Sequence, residues 1–74
     1  MKYNYDKLKG RIKEYFGTQD DFARSINLSA VSVNMKLNNK TRWTQDEIML
    51  SIDRLNIKRE ELVDIFFTKE VEKN

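Results

Sequence analysis

The run Thr18-Gln19-Asp20-Asp21-Phe22-Ala23-Arg24-Ser25-Ile26-Asn27-Leu28-Ser29-Ala30-Val31-Ser32-Val33-Asn34-Met35-Lys36-Leu37-Asn38 decides the fold. Its first half reads as a helix. The Thr18 hydroxyl is placed to accept from the backbone N–H of Asp21, and Asp20 and Asp21 suit the positive end of a helix dipole. Phe22, Ala23 and Ile26 make an inner face, and Asn27 tolerates the left-handed backbone that ends a helix. The second half is ambiguous by pattern. Val31, Val33, Met35 and Leu37 alternate with Ser32, Asn34, Lys36 and Asn38 as in a half-buried strand, with Asn38-Asn39 turning a hairpin into Lys40–Trp43. Read as a helix, the same residues put Ala30, Val33 and Leu37 on one face and offer Ser29 as N-cap.

Outward from this run the pattern is helical. Before it, Leu8, Ile12 and Tyr15/Phe16 share one stripe of a helix over 5–16, with Asn4 or Asp6 as cap and Gly17 at the left-handed end. Gly10 lies inside that helix and weakens it by roughly 1 kcal/mol relative to alanine. After it, Thr44-Gln45-Asp46-Glu47 is a capping box that opens a helix over 44–55, with Ile48, Met49, Ile52 and Leu55 on one face and Asn56 closing it. A fifth helix over 58–67 turns Leu62, Ile65 and Phe66 inward. Residues 1–67 are then one domain, and 68–74 a short polar tail expected to fray.

Composition narrows the function. The 74 residues include no cysteine and no histidine, which removes disulfides, the common zinc-ligand sets, and the usual general base and thiol nucleophile. The adjacent acids Asp20/Asp21, Asp46/Glu47 and Glu60/Glu61 each lie at a helix start, where they act on the dipole rather than as a catalytic pair. The expectation is a non-enzyme without cofactor, metal or evident small-molecule ligand. No apolar run of membrane-spanning length occurs, so the expectation is a soluble intracellular protein. Residues 1–43 hold nine Lys/Arg against four Asp/Glu (net +5), and residues 44–74 five against eight (net −3). One basic end and one acidic end suit a protein that meets a polyanion with one face, though an unevenly charged solvated surface gives the same count.

The spacing Thr18-Gln19-x-x-Phe22-Ala23-x-x-Ile26-Asn27-Leu28-Ser29-x-x-Ser32-Val33-x-x-x-Leu37-Asn38 resembles the lambda-repressor/Cro-type helix-turn-helix family of phage and bacterial regulators. The resemblance makes 29–38 a helix and implies an all-α, five-helix domain. Ala23 is small where the motif's helices would cross, and Leu28 and Val33 would lock the second helix on the first. Asn27 and Asn39 stand where the family often has glycine, and Phe22 where it has leucine. The resemblance further implies that the helix from Ser29 to Asn38 enters the DNA major groove, with Ala30, Val31 and Asn34 facing base edges. Gln19, Ser29, Ser32, Lys36, Asn38, Asn39, Lys40, Thr41 and Arg42 would then meet the sugar-phosphate backbone. The family binds as two-fold dimers on half-sites about 34 Å apart. Here the expected dimer surface is Val63, Phe66 and Phe67, with Val71 beside it, because Phe66 and Phe67 lie about 100° apart on one helix and compete for one inward stripe.

These expectations describe a Cro-like or compact phage repressor of a pseudopalindromic operator. Two other readings stay open: a winged-helix excisionase, if Val31–Leu37 is a strand, and a protein-interaction module such as an antitoxin or inhibitor. At the level of single residues, Asn34 also reads as a solvated helix residue, Val31 and Met35 as core, and Trp43 as packing under the fourth helix. Tyr3 and Tyr5 read either as packing residues or as an N-terminal arm.

Overall fold

Three helices begin in the same way. Thr18, Ser29 and Thr44 sit in extended backbone, and each hydroxyl accepts the N–H three residues ahead: Asp21 at 3.2 Å, Ser32 at 3.1 Å and Glu47 at 3.1 Å. Each bond satisfies a donor that a helix start leaves without an intrahelical partner. At Thr44 the device is reciprocal, since Glu47 Oε1 accepts the Thr44 N–H at 2.9 Å. Helix ends are equally regular. The backbone turns left-handed at Gly17 (φ 80°), Asn27 (φ 61°), Asn39 (φ 61°) and Asn56 (φ 50°), the residue types that enter this region at least cost.

The computed structural model describes residues 2–71. These signals divide them into α1 (Asp6–Phe16), α2 (Gln19–Ser25), α3 (Ala30–Leu37), α4 (Gln45–Arg54) and α5 (Leu62–Phe66), with one 3-10 turn, Arg59–Glu61, leading into α5. The all-α, five-helix architecture is the expected one, and the first four expected ranges differ from it only by counting flanking cap residues. The strand alternative for 31–37 fails. Val31 is 69% exposed while Val33 is fully buried, a separation that a helical period makes and an alternating strand does not.

The core is built from Leu8 and Ile12 of α1, Phe22 and Ala23 of α2 with Ile26 at its end, Val33 and Leu37 of α3, and Leu55, Ile57, Ile65 and Phe66 from the C-terminal half. Burying each large side chain contributes about 1.5–3 kcal/mol. One expected core position is exchanged in α4. Met49 is exposed, and Ser51 is fully buried in its place. Ser51 costs little there, because its Oγ donates to the Glu47 carbonyl at 2.7 Å within the same helix.

The fifth helix departs from the expected 58–67 at its start. Glu61 Oε1 accepts the Lys58 N–H at 3.1 Å and the Glu61 N–H bonds back to the Lys58 carbonyl at 2.9 Å, so the first turn closes tightly as a 3-10 turn. The same carboxylate pairs with Arg11 of α1, whose Nη1 also donates to the carbonyl of Leu55 at 3.1 Å. Lys58 and Arg11 hold the Glu61 carboxyl below its ordinary pKa. The tail also differs from expectation. Residues Thr68 to Glu70 are not frayed but pair with the N-terminus, through Asn4 N to Thr68 O at 2.7 Å and Glu70 N to Lys2 O at 3.0 Å. Residues 72–74 of the expected tail lie outside the described residues.

Candidate nucleic-acid interface

α2 packs on α3, and Ala23, the small residue expected at their crossing, has no exposed surface. The turn between them closes with the Leu28 N–H on the Ala23 carbonyl at 2.9 Å. This packing gives α3 two dissimilar sides. Val33, Lys36 and Leu37 are buried, while Val31, Asn34, Met35 and Asn38 are exposed and Ala30 and Ser32 half-buried. Val31 and Met35, which the sequence allowed as core, therefore face solvent.

Of the expected base readers, Val31 and Asn34 are open to solvent and Ala30 partly so. Asn34 is not isolated. Asn38 Nδ2 donates to the Asn34 carbonyl at 2.9 Å and to Asn34 Oδ1 at 3.2 Å. The second bond orients the Asn34 amide, with Oδ1 toward Asn38 and the NH2 donors uncommitted. That orienting role of Asn38 was missed by sequence reasoning, although the i, i+4 spacing of two asparagines on a helix signals it.

Two expected phosphate contacts are corrected. Lys36 is 8% exposed and its Nζ is fully engaged inside: it pairs with Glu47 Oε1 at 3.0 Å, donates to the Arg42 carbonyl at 2.9 Å, and lies 6.0 Å from the centre of the Trp43 ring. A charge is tolerated here because it is paired and hydrogen-bonded. Burial pushes the Glu47 carboxyl up, but the Thr44 N–H and the Lys36 ammonium outweigh burial and hold it below its ordinary value. The signal for this was present, since Lys36 falls on the Val33-Lys36-Leu37 stripe. Asn39 is the second correction. It is half-buried, and its side chain accepts the Tyr3 N–H at 2.9 Å and donates to the Tyr3 carbonyl at 2.9 Å. Its amide is committed on both oxygen and nitrogen to holding the N-terminal segment, which is a structural task and not the expected phosphate contact.

Lys40, Thr41 and Arg42 remain exposed beyond α3, with Thr41 and Arg42 leading into Trp43, and Ser29 stands at the start of α3 with its hydroxyl committed to the cap. Gln19 is half-buried as the first residue of α2. At the opposite end of the chain, Phe66 is buried at 1% exposure, so it is withdrawn from the expected dimer surface, whereas Phe67 (43%) and Val63 (65%) are exposed. Trp43 packs edge-on to Phe66 with ring centres 5.6 Å apart, as a packing residue does. Among the described residues no cluster of acids suits a metal ion, and no helix is long and apolar enough to cross a membrane.

No curated protein matches the chain. A solved structure does: the modulator of repression (MOR) of the temperate bacteriophage TP901-1 from Lactococcus lactis. It is 38% identical, the match covers 97% of each chain, and the TM-score is 0.78. The all-helical architecture and the phage-regulator setting expected from the sequence are thus found in a similar protein, while membership of the lambda-repressor/Cro type is not shown. Residues 1–69 match the model of a family described as protein of unknown function (DUF739), and the chain belongs to that family.

Proposed function

We propose that the protein is a phage-type transcription regulator that seats α3 in the major groove of duplex DNA. One observation carries this reading: the outward row of α3 presents Asn34 with its amide already oriented by Asn38, flanked by Ala30 and Val31. An asparagine held this way suits an adenine, accepting from N6 and donating to N7, for about 1–3 kcal/mol of discrimination. Val31 is suited to a thymine methyl. Gln19, Ser29 and Ser32 stand at helix starts, whose free N–H groups attract phosphate, and Lys40, Thr41 and Arg42 extend the contact. The reading is of a binding protein without catalysis or cofactor, acting as a homodimer through Val63 and Phe67. Selection of bound sequences from a random duplex pool tests it. The expected motif is palindromic, Asn34→Ala flattens one position per half-site, and Lys40→Ala and Arg42→Ala each reduce the salt slope by about one unit. A pool without an enriched motif ends the reading.

A second reading has its own support. The outward side of α3 carries two large apolar side chains, Val31 and Met35, and its one cation faces inward. A similar protein is a modulator of repression. On this reading the α3 face contacts a repressor protein instead of an operator. Gel filtration of the chain mixed with a repressor encoded beside it distinguishes the two: a stoichiometric complex that survives high salt, with no duplex motif, selects the second.

A further inference from the structure

Five aromatic rings form a closed circuit on one side of the molecule. Ring centres are 6.1 Å apart for Tyr3–Tyr5, 6.4 Å for Tyr5–Trp43, 5.6 Å for Trp43–Phe66, 6.4 Å for Phe66–Phe67 and 6.2 Å for Phe67–Tyr3. All five border a cleft of about 550 Å³ whose other wall is the loop after α3, with Lys40 and Arg42. Among the described residues no acidic side chain lines it. Trp43 brings the one buried side-chain donor among the described residues that has no acceptor, its indole N–H. None of the α3 residues 30–37 lines the cleft, but it shares Lys40, Thr41 and Arg42 with the DNA contact and Phe67 with the dimer surface proposed above.

We propose that this cleft docks a segment of a partner protein in which an apolar side chain stands next to a carboxylate. The volume falls in the range of ligand clefts, about 300–1,000 Å³. The charge selects the sign of the partner: two exposed cations and no anion favour a carboxylate, and they oppose a cationic guest that aromatic rings alone would welcome. The exposure of the rings selects the apolar part. A stacked nucleobase needs an open ring face, but Tyr5 and Phe66 are 8% and 1% exposed. Phe67 is exposed and Tyr3 and Trp43 are half-buried, which suits a side chain wedged at ring edges rather than a base laid on a platform. The Lys36–Glu47 pair beneath Trp43 is already neutral overall, so it does not cancel the rim charge.

Random peptides displayed against the full chain, followed by synthesis of the enriched ones, test this. Trp43 is the only tryptophan, so its single indole 1H–15N resonance reports on the cleft directly. The enriched peptides are expected to place Phe, Leu or Ile beside Asp or Glu, and to move the indole resonance saturably. Lys40→Glu combined with Arg42→Glu, both at exposed positions, is expected to weaken them about tenfold with an unchanged helical spectrum and melting temperature. Absence of enrichment, enriched peptides lacking acids, or an unmoved indole resonance overturns the proposal. So does an oligothymidylate that moves the resonance where the peptides do not, which assigns the cleft to a nucleotide. Duplex binding shares Lys40 and Arg42 with the cleft, so it is tested separately by Asn34→Ala, a residue that does not line the cleft.

Discussion

On the inward side of α3 Lys36 is buried along with Val33 and Leu37, whereas on the outward side Val31 and Met35 meet water beside Asn34 and Asn38. The usual distribution of polarity is reversed on both sides, and the two reversals have different causes. The inner charge is held by groups from outside the helix, Glu47 of α4 and the Arg42 carbonyl, so it ties α3 to the following loop and helix. The outer apolar side chains have no such partners. They contribute nothing to the core and are available for a ligand. The one cation of this helix is thus structural, while two of its hydrophobes, Val31 and Met35, belong to the exposed surface.

The largest expected effect lies on the inner side. Lys36→Ala leaves Glu47 as an unpaired, mostly buried carboxylate and is expected to lower unfolding free energy by about 3–5 kcal/mol in a urea titration. A variant within about 1 kcal/mol of the parent breaks the contrast. Any loss of binding by Lys36→Ala then tracks its unfolded fraction, not a missing phosphate contact.

A smaller effect sharpens the same pair by pH. The Glu47 pKa is depressed on folding, and that of Glu61 is depressed in the same direction. Their stabilisation is therefore present above the ordinary carboxylate value of 4.5 and lost as pH falls through the lower folded values. Stability measured across this acid range is expected to fall for the parent, and to fall less steeply for Glu47→Gln. Parallel curves for the two proteins would remove Glu47 from the acid response.

The smallest effect is expected on the outer side. Val31→Ser changes an exposed side chain and is expected to shift unfolding free energy by less than about 0.5 kcal/mol, while weakening whichever partner α3 contacts. A melting temperature several degrees below the parent would show that Val31 packs in solution.

Most of the helical plan is legible in the amino-acid sequence. Thr18, Ser29 and Thr44 cap the helices at the positions their sequence context indicates, and Gly17, Asn27 and Asn56 stop them. Part of the candidate site is legible too, since Val31 and Asn34 are exposed on α3. Lys36 and Asn39 are misplaced when residue type alone assigns them to the polar surface. Lys36 is satisfied by a carboxylate of the next helix, and Asn39 by the backbone of Tyr3, 36 residues away in sequence.

The sequence by itself determined where α2 and α4 begin and end, because capping and left-handed termination act within three or four residues of one another. It also determined that α3 is short and bounded by Ser29 and Asn38–Asn39. Only the tertiary structure decided that Ser51 went inward in place of Met49. It also turned Lys36 inward, tied Tyr3 to Asn39 and paired the N-terminal segment with residues 68–70. Those choices depend on partners brought together by the packing of distant segments. A buried ammonium is favourable only where Glu47 already waits, and no local pattern along α3 contains that information.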